Sequence, residues 1–184
     1  MRGQKNRFKL RIRGYDGRPD SPLFAEVKHR SDRVINKRRS LISRPLARAL
    51  VRGRSLPEDA PLDRFDFAEF RSLSARLAAR PAVYVSYLRE AYEAAGPEPV
   101  RLTIDRALRN APADREAPFA FDGKDWAPTP LDGVILELKY TDACPHWLEV
   151  MVETFQLDRR SVAKYVMCLE SSLKRGHFGT AFHG

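Results

Sequence analysis

Charged and apolar residues alternate at every second position in three short segments of this chain. The segments are Lys9-Leu10-Arg11-Ile12-Arg13, Glu26-Val27-Lys28 and Leu136-Glu137-Leu138-Lys139. Because successive side chains of a β-strand point to opposite faces, each segment predicts a strand with one charged face and one face fit for burial. Such alternation is typical of an ordinary antiparallel sheet with its polar face in water. Several strands that share a basic face favour an anion-binding function, because concentrated Arg and Lys repel one another unless an anion lies there.

Positive charge is concentrated in the first third of the chain. Residues 1–54 contain 17 Lys and Arg against 4 Asp and Glu, whereas the other 130 residues contain 16 against 20. A local positive field favours one dedicated polyanion site over diffuse adhesion to anions. Nucleic acid, inorganic phosphate chains, nucleotides and acidic lipid head groups are all ligands of this class.

The length of the chain, 184 residues, predicts one globular domain. Its two cysteines, Cys144 and Cys168, are too few for a disulfide framework and lack zinc-finger spacing, which favours a reducing compartment. The basic N-terminus lacks the apolar core of a signal peptide, and no run approaches the roughly 18 apolar residues of a membrane helix. We therefore expect a cytoplasmic protein, with any membrane partner lying outside this chain.

Hydrophobic spacing predicts an α+β chain with antiparallel strands. Two strands, 7–15 and 22–30, are predicted to pair as a hairpin around a turn-rich segment. Residues 111–130 are predicted to form a loop or irregular edge strands. The other predicted strands are 33–39, 82–92, 99–106 and 133–140.

Four helices are predicted, over 41–50, 65–79, 145–157 and 161–174. Each of two helices carries an apolar stripe that we expect to pack in the core. The stripes are Phe67, Phe70, Leu73 and Leu77 in the second helix, and Val162, Tyr165, Val166 and Leu169 in the last.

Several common phosphate and nucleophile motifs are absent from the sequence. There is no Gly-rich phosphate loop ending in Lys-Ser or Lys-Thr, no Gly-x-Gly-x-x-Gly and no Gly-x-Ser-x-Gly elbow. Any phosphate chemistry must therefore depend on side chains. The four histidines lie in separate segments, and Cys144-Pro145-His146 offers at most two ligands, which disfavours a metal site there.

The charged strand faces carry the residue types that phosphate chemistry needs. Arg11 and Arg13 can each offer a planar fork of donors to phosphate oxygens, and Lys9 and Lys28 add compact point charges. Phosphoryl transfer requires mainly positioning and neutralisation of charge. A set of such cations therefore suits the binding of a phosphate chain.

A divalent ion that bridges phosphates needs hard oxygen ligands. This requirement points to Glu137 and, less firmly, to Glu26. The alternative for Glu26 is a carboxylate that only separates cations within the sheet. We keep both interpretations of Glu26 open.

Seven segments occur in one characteristic order and together resemble a known family. They are Arg7-Phe-Lys-Leu-Arg-Ile-Arg-Gly-Tyr15, Phe24-Ala-Glu-Val-Lys28, Asn36-Lys-Arg-Arg39, Tyr87-Leu-Arg89, Val100-Arg-Leu-Thr-Ile-Asp105, Ile135-Leu-Glu-Leu-Lys139 and Ala163-Lys-Tyr165. The set resembles the VTC domain, the polyphosphate polymerase branch of the triphosphate tunnel, or CYTH-like, enzymes. None of the segments is specific alone, but their shared order covers most of the chain.

The resemblance implies an antiparallel β-tunnel lined by charged side chains, with flanking helices. It implies transfer of the γ-phosphate of ATP to a growing polyphosphate chain, with Mn²⁺ or Mg²⁺ as cofactor. No covalent protein nucleophile is implied, because the terminal phosphate of the acceptor chain attacks while the protein holds it in line.

The resemblance also assigns roles to particular residues. Glu137 matches the metal-binding glutamate, and Lys139 shares the strand face of Glu137, whereas Glu26 is a metal candidate only through its carboxylate. Lys9, Arg39 and Tyr87 are expected to contact substrate. The phosphate-gripping residues are Arg11, Arg13, Lys28, Lys37, Arg89, Arg101 and Lys164.

The sequence departs from the family pattern in two places. Ala163 stands where the family commonly has serine, so one hydroxyl contact to phosphate is missing. The chain also begins inside the pattern, which predicts that early tunnel strands are missing, as in a truncated reading frame or a degenerate copy. We expect a VTC-like domain over residues 1–175 and a disordered tail over 176–184.

Two other functions are kept as alternatives to a polymerase. One is a non-catalytic protein that binds polyphosphate, inositol phosphates or nucleotides, and the other is a tunnel-type triphosphatase. Nucleic acid is not an expected partner, because Phe8, Tyr15 and Phe24 form no evident stacking platform and no helix has a basic recognition face. The oligomeric state is left open.

Overall fold

The computed structural model describes residues 6–18, 20–31, 34–94, 99–114, 118–119, 124–141 and 143–176. The chain divides into two compact units. Unit 1 comprises Met1–Pro81 and Ala113–Lys124, and unit 2 comprises Ala82–Pro112 and Asp125–Gly184. Of the tail predicted to be disordered, all but Gly176 lies outside the described residues. In the described part of the chain, no helix has the length and apolar character needed to cross a membrane.

Unit 1 contains an antiparallel sheet in the order β1-β2-β3. β1 spans Asn6–Arg13, β2 spans Leu23–Ser31 and β3 spans Val34–Ile42, which confirms the predicted hairpin and third strand. Cross-strand neighbours on a sheet point to the same face. The charged residues that the sequence assigns to the site on these strands therefore share one face, whereas Arg38 lies on the opposite face. Their rows are Lys9, Lys28 and Lys37, and then Arg11, Glu26 and Arg39.

The opposite face of this sheet packs on two helices and forms the core of unit 1. α1 spans Arg44–Arg52 and α2 spans Phe65–Arg76. Full burial of an aliphatic or aromatic side chain stabilises a fold by about 1.5–3 kcal/mol. The buried residues are Leu23, Ala25, Val27, Ile42, Leu46, Ala47, Phe67 and Phe70. Their burial opposite the charged residues confirms the predicted division of the sheet into a buried face and a charged face.

α1 begins later in the chain than the sequence predicts. Leu41 and Ile42 belong to the end of β3, and Ser43 caps the helix by accepting a hydrogen bond from the backbone N–H of Leu46. A serine at this position satisfies one of the N–H groups that a helix leaves without an internal partner. The cap therefore fixes the boundary between strand and helix.

The apolar stripe of α2 is only partly as predicted. Phe67 and Phe70 are buried, and Leu73 packs against the same core. Leu77 lies just beyond the helix and is exposed, because the chain turns at Ala78, where φ is +45°. The prediction of a core position for Leu77 is wrong.

Unit 2 contains an antiparallel sheet in which β5 pairs with β4, β6 and β7. β4 spans Val83–Glu93 and β5 spans Arg101–Pro112, while β6 spans Ala127–Pro128 and β7 spans Ile135–Lys139. With antiparallel sheets and helices in both units, the predicted α+β class is confirmed. Three rows of cross-strand neighbours share one face. They are Arg89 with Asp105, Thr103 with Glu137, and Arg101 with Lys139.

β5 continues well past its predicted end at residue 106. A β-bulge interrupts its pairing with β4 between Ser86 and Leu88, and Ala107 adopts a φ of +53°. A bulge inserts one extra residue into a strand and lets the pairing resume in a new register. Beyond the bulge, Arg109 and Asn110 pair with the short β6.

Two further helices belong to unit 2. α3 spans His146–Thr154 and α4 spans Lys164–Lys174, and α4 packs against β4 and β5. The predicted apolar stripe of α4 is buried only in part, because Leu169 is half-buried but Tyr165 and Val166 are exposed and Val162 precedes the helix. The buried residues of α4 are Cys168 and Ser172.

A polar seam joins α4 to the sheet in place of that stripe. The Asn110 amide donates to Thr129 Oγ1 at 2.6 Å and to Ser171 Oγ at 3.3 Å. Thr129 Oγ1 lies 3.3 Å from Cys168 Sγ. Buried polar groups require partners of this kind. Small polar residues therefore define the side of α4 that faces the sheet.

Candidate functional site

The charged face of unit 1 brings together all seven residues that the sequence singles out in this unit. We call this set the cation face. These seven residues are six cations and one carboxylate. The members are Lys9, Arg11, Arg13, Lys28, Lys37, Arg39 and Glu26.

Glu26 is the buried anion of the cation face. Its side chain is 2% exposed, Arg11 Nε donates to Oε2, and Lys37 Nζ lies 3.0 Å from Oε1. Burial is the largest influence on the Glu26 pKa and raises it, but the hydrogen bonds and charges of Lys37 and Arg11 together outweigh burial. The pKa therefore lies below its ordinary value, and Glu26 is an anion at neutral pH.

Three cations of this face have no carboxylate partner among the described residues. They are Lys9, Arg13 and Arg39. Arg13 and Arg39 lie instead over the rings of Tyr15 and Phe24. Cations held on one surface without counter-charges raise the local potential and attract anions. The face therefore has the charge distribution of an anion-binding surface.

In unit 2, a buried carboxylate that the sequence analysis did not assign to the site organises the functional side chains. Asp105 is 1% exposed, and Arg89 binds it through two hydrogen bonds of 2.6 and 2.7 Å. Lys164 Nζ lies 2.7 Å from Asp105 Oδ2. Burial raises the Asp105 pKa most strongly, but Arg89 and Lys164 together lower it below its ordinary value.

The start of α4 explains why Lys164 needs this carboxylate. Lys164 is the first residue of the helix, and no side chain caps the N-terminus. A cation is unfavourable at a helix N-terminus because the macrodipole is positive there. Asp105 offsets that cost and holds Lys164 beside the ring of Tyr87, whose centroid is 5.4 Å from the ammonium. The guanidinium carbon of Arg89 lies 5.3 Å from the same centroid.

Glu137 is the more accessible carboxylate of this cluster, with a side chain 40% exposed. Lys139 Nζ lies 3.1 Å from Oε1, and Arg89 Nη2 lies 3.6 Å from Oε2. Burial raises the Glu137 pKa most, but Lys139, Arg89 and Lys164 together lower it below its ordinary value. Glu137 is therefore available as an anionic ligand at neutral pH.

Arg101 and Thr103 complete the charged face of unit 2. Arg101 is the cross-strand neighbour of Lys139, is half-exposed, and has its Nη1 4.0 Å from an oxygen of Glu93. Thr103 is buried beside Glu137, and its hydroxyl has no hydrogen-bond partner in the part of the chain that the structure describes. Unit 2 thus gathers all six of its residues that the sequence predicts. They are Tyr87, Arg89, Arg101, Glu137, Lys139 and Lys164.

The two predicted metal ligands differ in their fit to a divalent ion. Within the described residues, no three His, Cys, Asp or Glu side chains come together. Mg²⁺ is commonly bound through one or two carboxylates, with waters and substrate phosphates completing its shell, and Glu137 fits that mode. Glu26 is nearly inaccessible, so an ion there would have to displace Arg11 or Lys37. Both assignments stay predictions.

The buried ion pairs predict how stability depends on pH. Asp105 has a native pKa below its ordinary value of 3.8. Its contribution to stability is complete above the pKa of the unfolded chain and is lost as the pH falls through the lower native pKa. We therefore expect the free energy of unfolding to fall as the pH is lowered below about 4. Urea unfolding at a series of pH values measures this slope.

Two variants serve as tests of that slope, with a third as the control. Asp105→Asn, in unit 2, should make the free energy of unfolding depend less steeply on pH. Glu26→Gln, in unit 1, should have the same effect independently. Glu153→Gln changes an exposed carboxylate of α3 and should keep the wild-type slope. A wild-type slope in both test variants would show that these carboxylates do not govern acid stability.

Comparison with known proteins identifies the family of the chain. A family model described as the VTC domain matches residues 1–173. A search of the curated proteins gives no match. Because the family model spans nearly the whole sequence, the chain belongs to the VTC domain family.

Proposed function

We propose that this chain is a polyphosphate polymerase that transfers the γ-phosphate of ATP to a growing polyphosphate chain, with Mn²⁺ or Mg²⁺. The observation that carries the proposal is the cation face of unit 1, where six cations share one face of the sheet with a buried carboxylate. Such a surface suits a ligand with many anionic oxygens along its length. Membership of the VTC domain family supports the polyphosphate class of ligand.

The proposed reaction needs little covalent chemistry from the protein. A terminal oxygen of the acceptor chain attacks the γ-phosphorus of ATP, the bond from that phosphorus to the bridging oxygen breaks, and ADP leaves with the electron pair. Arginines offer paired N–H donors to the phosphate oxygens, and lysines neutralise their charge. Catalysis then rests on holding donor and acceptor in line.

A divalent ion, when bound, supplies further neutralisation of phosphate charge, and Glu137 is the residue that would hold it. Arg89 has a second task in this scheme. Its two hydrogen bonds to Asp105 fix the guanidinium beside Tyr87, so that the remaining N–H groups can be directed at substrate. Lys164 is fixed by the same carboxylate.

The direct test is turnover by the purified chain. ATP and Mn²⁺ are supplied, ADP is measured enzymatically, and polyphosphate is resolved on a gel. The proposal predicts ADP together with a ladder of polyphosphate. Release of free phosphate without a ladder would instead indicate the triphosphatase alternative.

One observation favours the non-catalytic alternative. In unit 1 the carboxylate of Glu26, and in unit 2 the carboxylates of Asp105 and Glu137, are paired with cations in the structure. A protein that only binds polyphosphate or nucleotides has no need of a carboxylate available to a metal ion. Tight binding of ATP or polyphosphate with no ADP formed would support this alternative against the polymerase.

The proposal includes a cytoplasmic location, where ATP is supplied. Cys144 and Cys168 are both free thiols in the structure, which agrees with a reducing compartment. Nucleic acid is not included among the proposed partners.

A further inference from the structure

Two arginines and two aromatic rings form a compact group at one end of the cation face. The guanidinium carbon of Arg13 lies 4.7 Å from the centroid of Tyr15, and that of Arg39 lies 4.3 Å from the centroid of Phe24. The two rings meet edge to face, with centroids 6.0 Å apart and planes at 82°. We call these four residues the aromatic cluster. The structure thus joins two aromatics that look unrelated in the sequence.

The register of the sheet places this cluster on the cation face. Arg13 is the cross-strand neighbour of Phe24, and Arg39 is the neighbour of Glu26 in the next row. Tyr15 follows β1 by two residues. Arg13 and Lys9 are four residues apart on one strand, which corresponds to about 13 Å at the usual rise per residue. The cluster and the lysines therefore lie at different points along one continuous charged face.

Tyr15 is both exposed and held in place. Its side chain is 61% exposed, yet it contacts Arg13 and Phe24, and Arg39 Nη1 donates to its hydroxyl at 3.5 Å. A ring that is fixed before binding loses little conformational entropy when a ligand stacks on it. Aromatic rings and arginine planes are the groups on which proteins stack nucleobases.

We propose that the aromatic cluster binds the base of a nucleoside triphosphate whose phosphates lie along the cation face. The inference rests on the proposed function, because it assumes that this face binds the phosphates of ATP. The triphosphate supplies most of the affinity through Lys and Arg. Tyr15 adds the interaction that distinguishes a nucleotide from an inorganic phosphate chain. Because stacking depends on the π-face of a base rather than its edge, ATP and GTP should bind with similar affinity.

The test compares ATP with inorganic tripolyphosphate, which carries phosphates but no base. Dissociation constants are measured by calorimetry for the wild type, Tyr15→Ala and Tyr15→Phe. Tyr15→Ala should weaken ATP binding by about tenfold, the scale of one stacked base, and leave tripolyphosphate binding unchanged. Tyr15→Phe keeps the ring and should retain the affinity for ATP.

A matched control removes a similar stacking pair from the other side of the same sheet. Arg38 lies 4.3 Å over the ring of Phe65, which is 66% exposed at the start of α2. Phe65→Ala should change neither dissociation constant. An equal loss of ATP and tripolyphosphate binding in Tyr15→Ala would mean that the ring only positions Arg13, and would overturn the proposal.

The combined measurements separate failure of this inference from failure of the proposed function. A chain that binds both ligands and loses no affinity for ATP in Tyr15→Ala has no base subsite at Tyr15, which overturns the inference alone. A chain that binds neither ligand contradicts the proposed function and the inference together.

Discussion

Arg89→Met is expected to lower the free energy of unfolding by about 3 kcal/mol, at the lower end of the range for a broken buried ion pair. The substitution keeps an unbranched side chain in place of the aliphatic stem of arginine and removes both hydrogen bonds to Asp105. Asp105 is 1% exposed and would be left with Lys164 alone. A buried carboxylate that loses its main partner keeps its desolvation penalty, but the attraction that offset this penalty is largely lost. Urea unfolding at neutral pH measures the loss.

The same strand pair offers a matched control. Arg106 of β5 donates to Glu90 of β4 at 2.9 Å, but both side chains are well exposed. Exposed ion pairs contribute little to stability because water screens them. Arg106→Met should therefore cost only a small fraction of the loss in Arg89→Met. Equal losses would indicate that burial of Asp105 has no special role.

Glu137→Gln is expected to reduce polyphosphate formation by about 100-fold, the scale of removing one electrostatic contact that stabilises a transition state. The substitution keeps the shape of the side chain and removes its negative charge, so that a divalent ion loses an anionic oxygen ligand. Glu137 is partly exposed, so the fold should tolerate the change. The rate of ADP formation and the gel ladder are measured at a fixed concentration of Mn²⁺.

Glu90→Gln is the matched control for this prediction. Glu90 lies on β4 and pairs with Arg106 rather than with the residues around Asp105. Its activity should equal that of the wild type. Full activity in Glu137→Gln would remove Glu137 from the metal assignment, whereas a wild type without turnover would contradict the proposed polymerase itself.

The face composition of β1, β2 and β3 could be predicted from the sequence because it depends on a local rule. A period of two fixes which residues share a side of each strand. The short connections between neighbouring strands favour antiparallel pairing. Lys9, Arg11 and Glu26 therefore lie on one face, as their spacing predicts. No long-range information was needed for this part.

The role of Asp105 could not be predicted in the same way. Its spacing from Arg101 places it on the charged face, but nothing local indicates that it is the most buried residue there. Its burial depends on α4, a helix much later in the sequence, whose first residue contacts it. The sequence shows only an acidic residue on a strand face that also carries Arg101. The contact between Asp105 and Lys164 depends on how α4 packs, which the sequence pattern does not reveal.

The two clear errors in unit 2 also have physical causes. Periodicity favoured Tyr165 and Val166 as the core side of α4, but the sheet beneath the helix presents Asn110, so small polar residues pack there instead. The sequence pattern places the end of β5 at residue 106. No glycine marks the bulge, so nothing in the sequence indicates that the strand continues beyond it. Ala107 adopts its positive φ without such a signal.

Binding of tripolyphosphate to the cation face is the measurement that tests the central claim most directly. The triple variant Lys9→Gln, Arg13→Gln and Arg39→Gln removes the three cations of that face that have no described carboxylate partner. A second triple variant, Arg48→Gln, Arg71→Gln and Arg76→Gln, removes the same charge from exposed positions on α1 and α2. The face variant should bind about 100-fold more weakly than the wild type, and the helix variant should bind almost as well as the wild type. Equal losses in the two variants would contradict a dedicated phosphate site and leave only the overall charge of the chain.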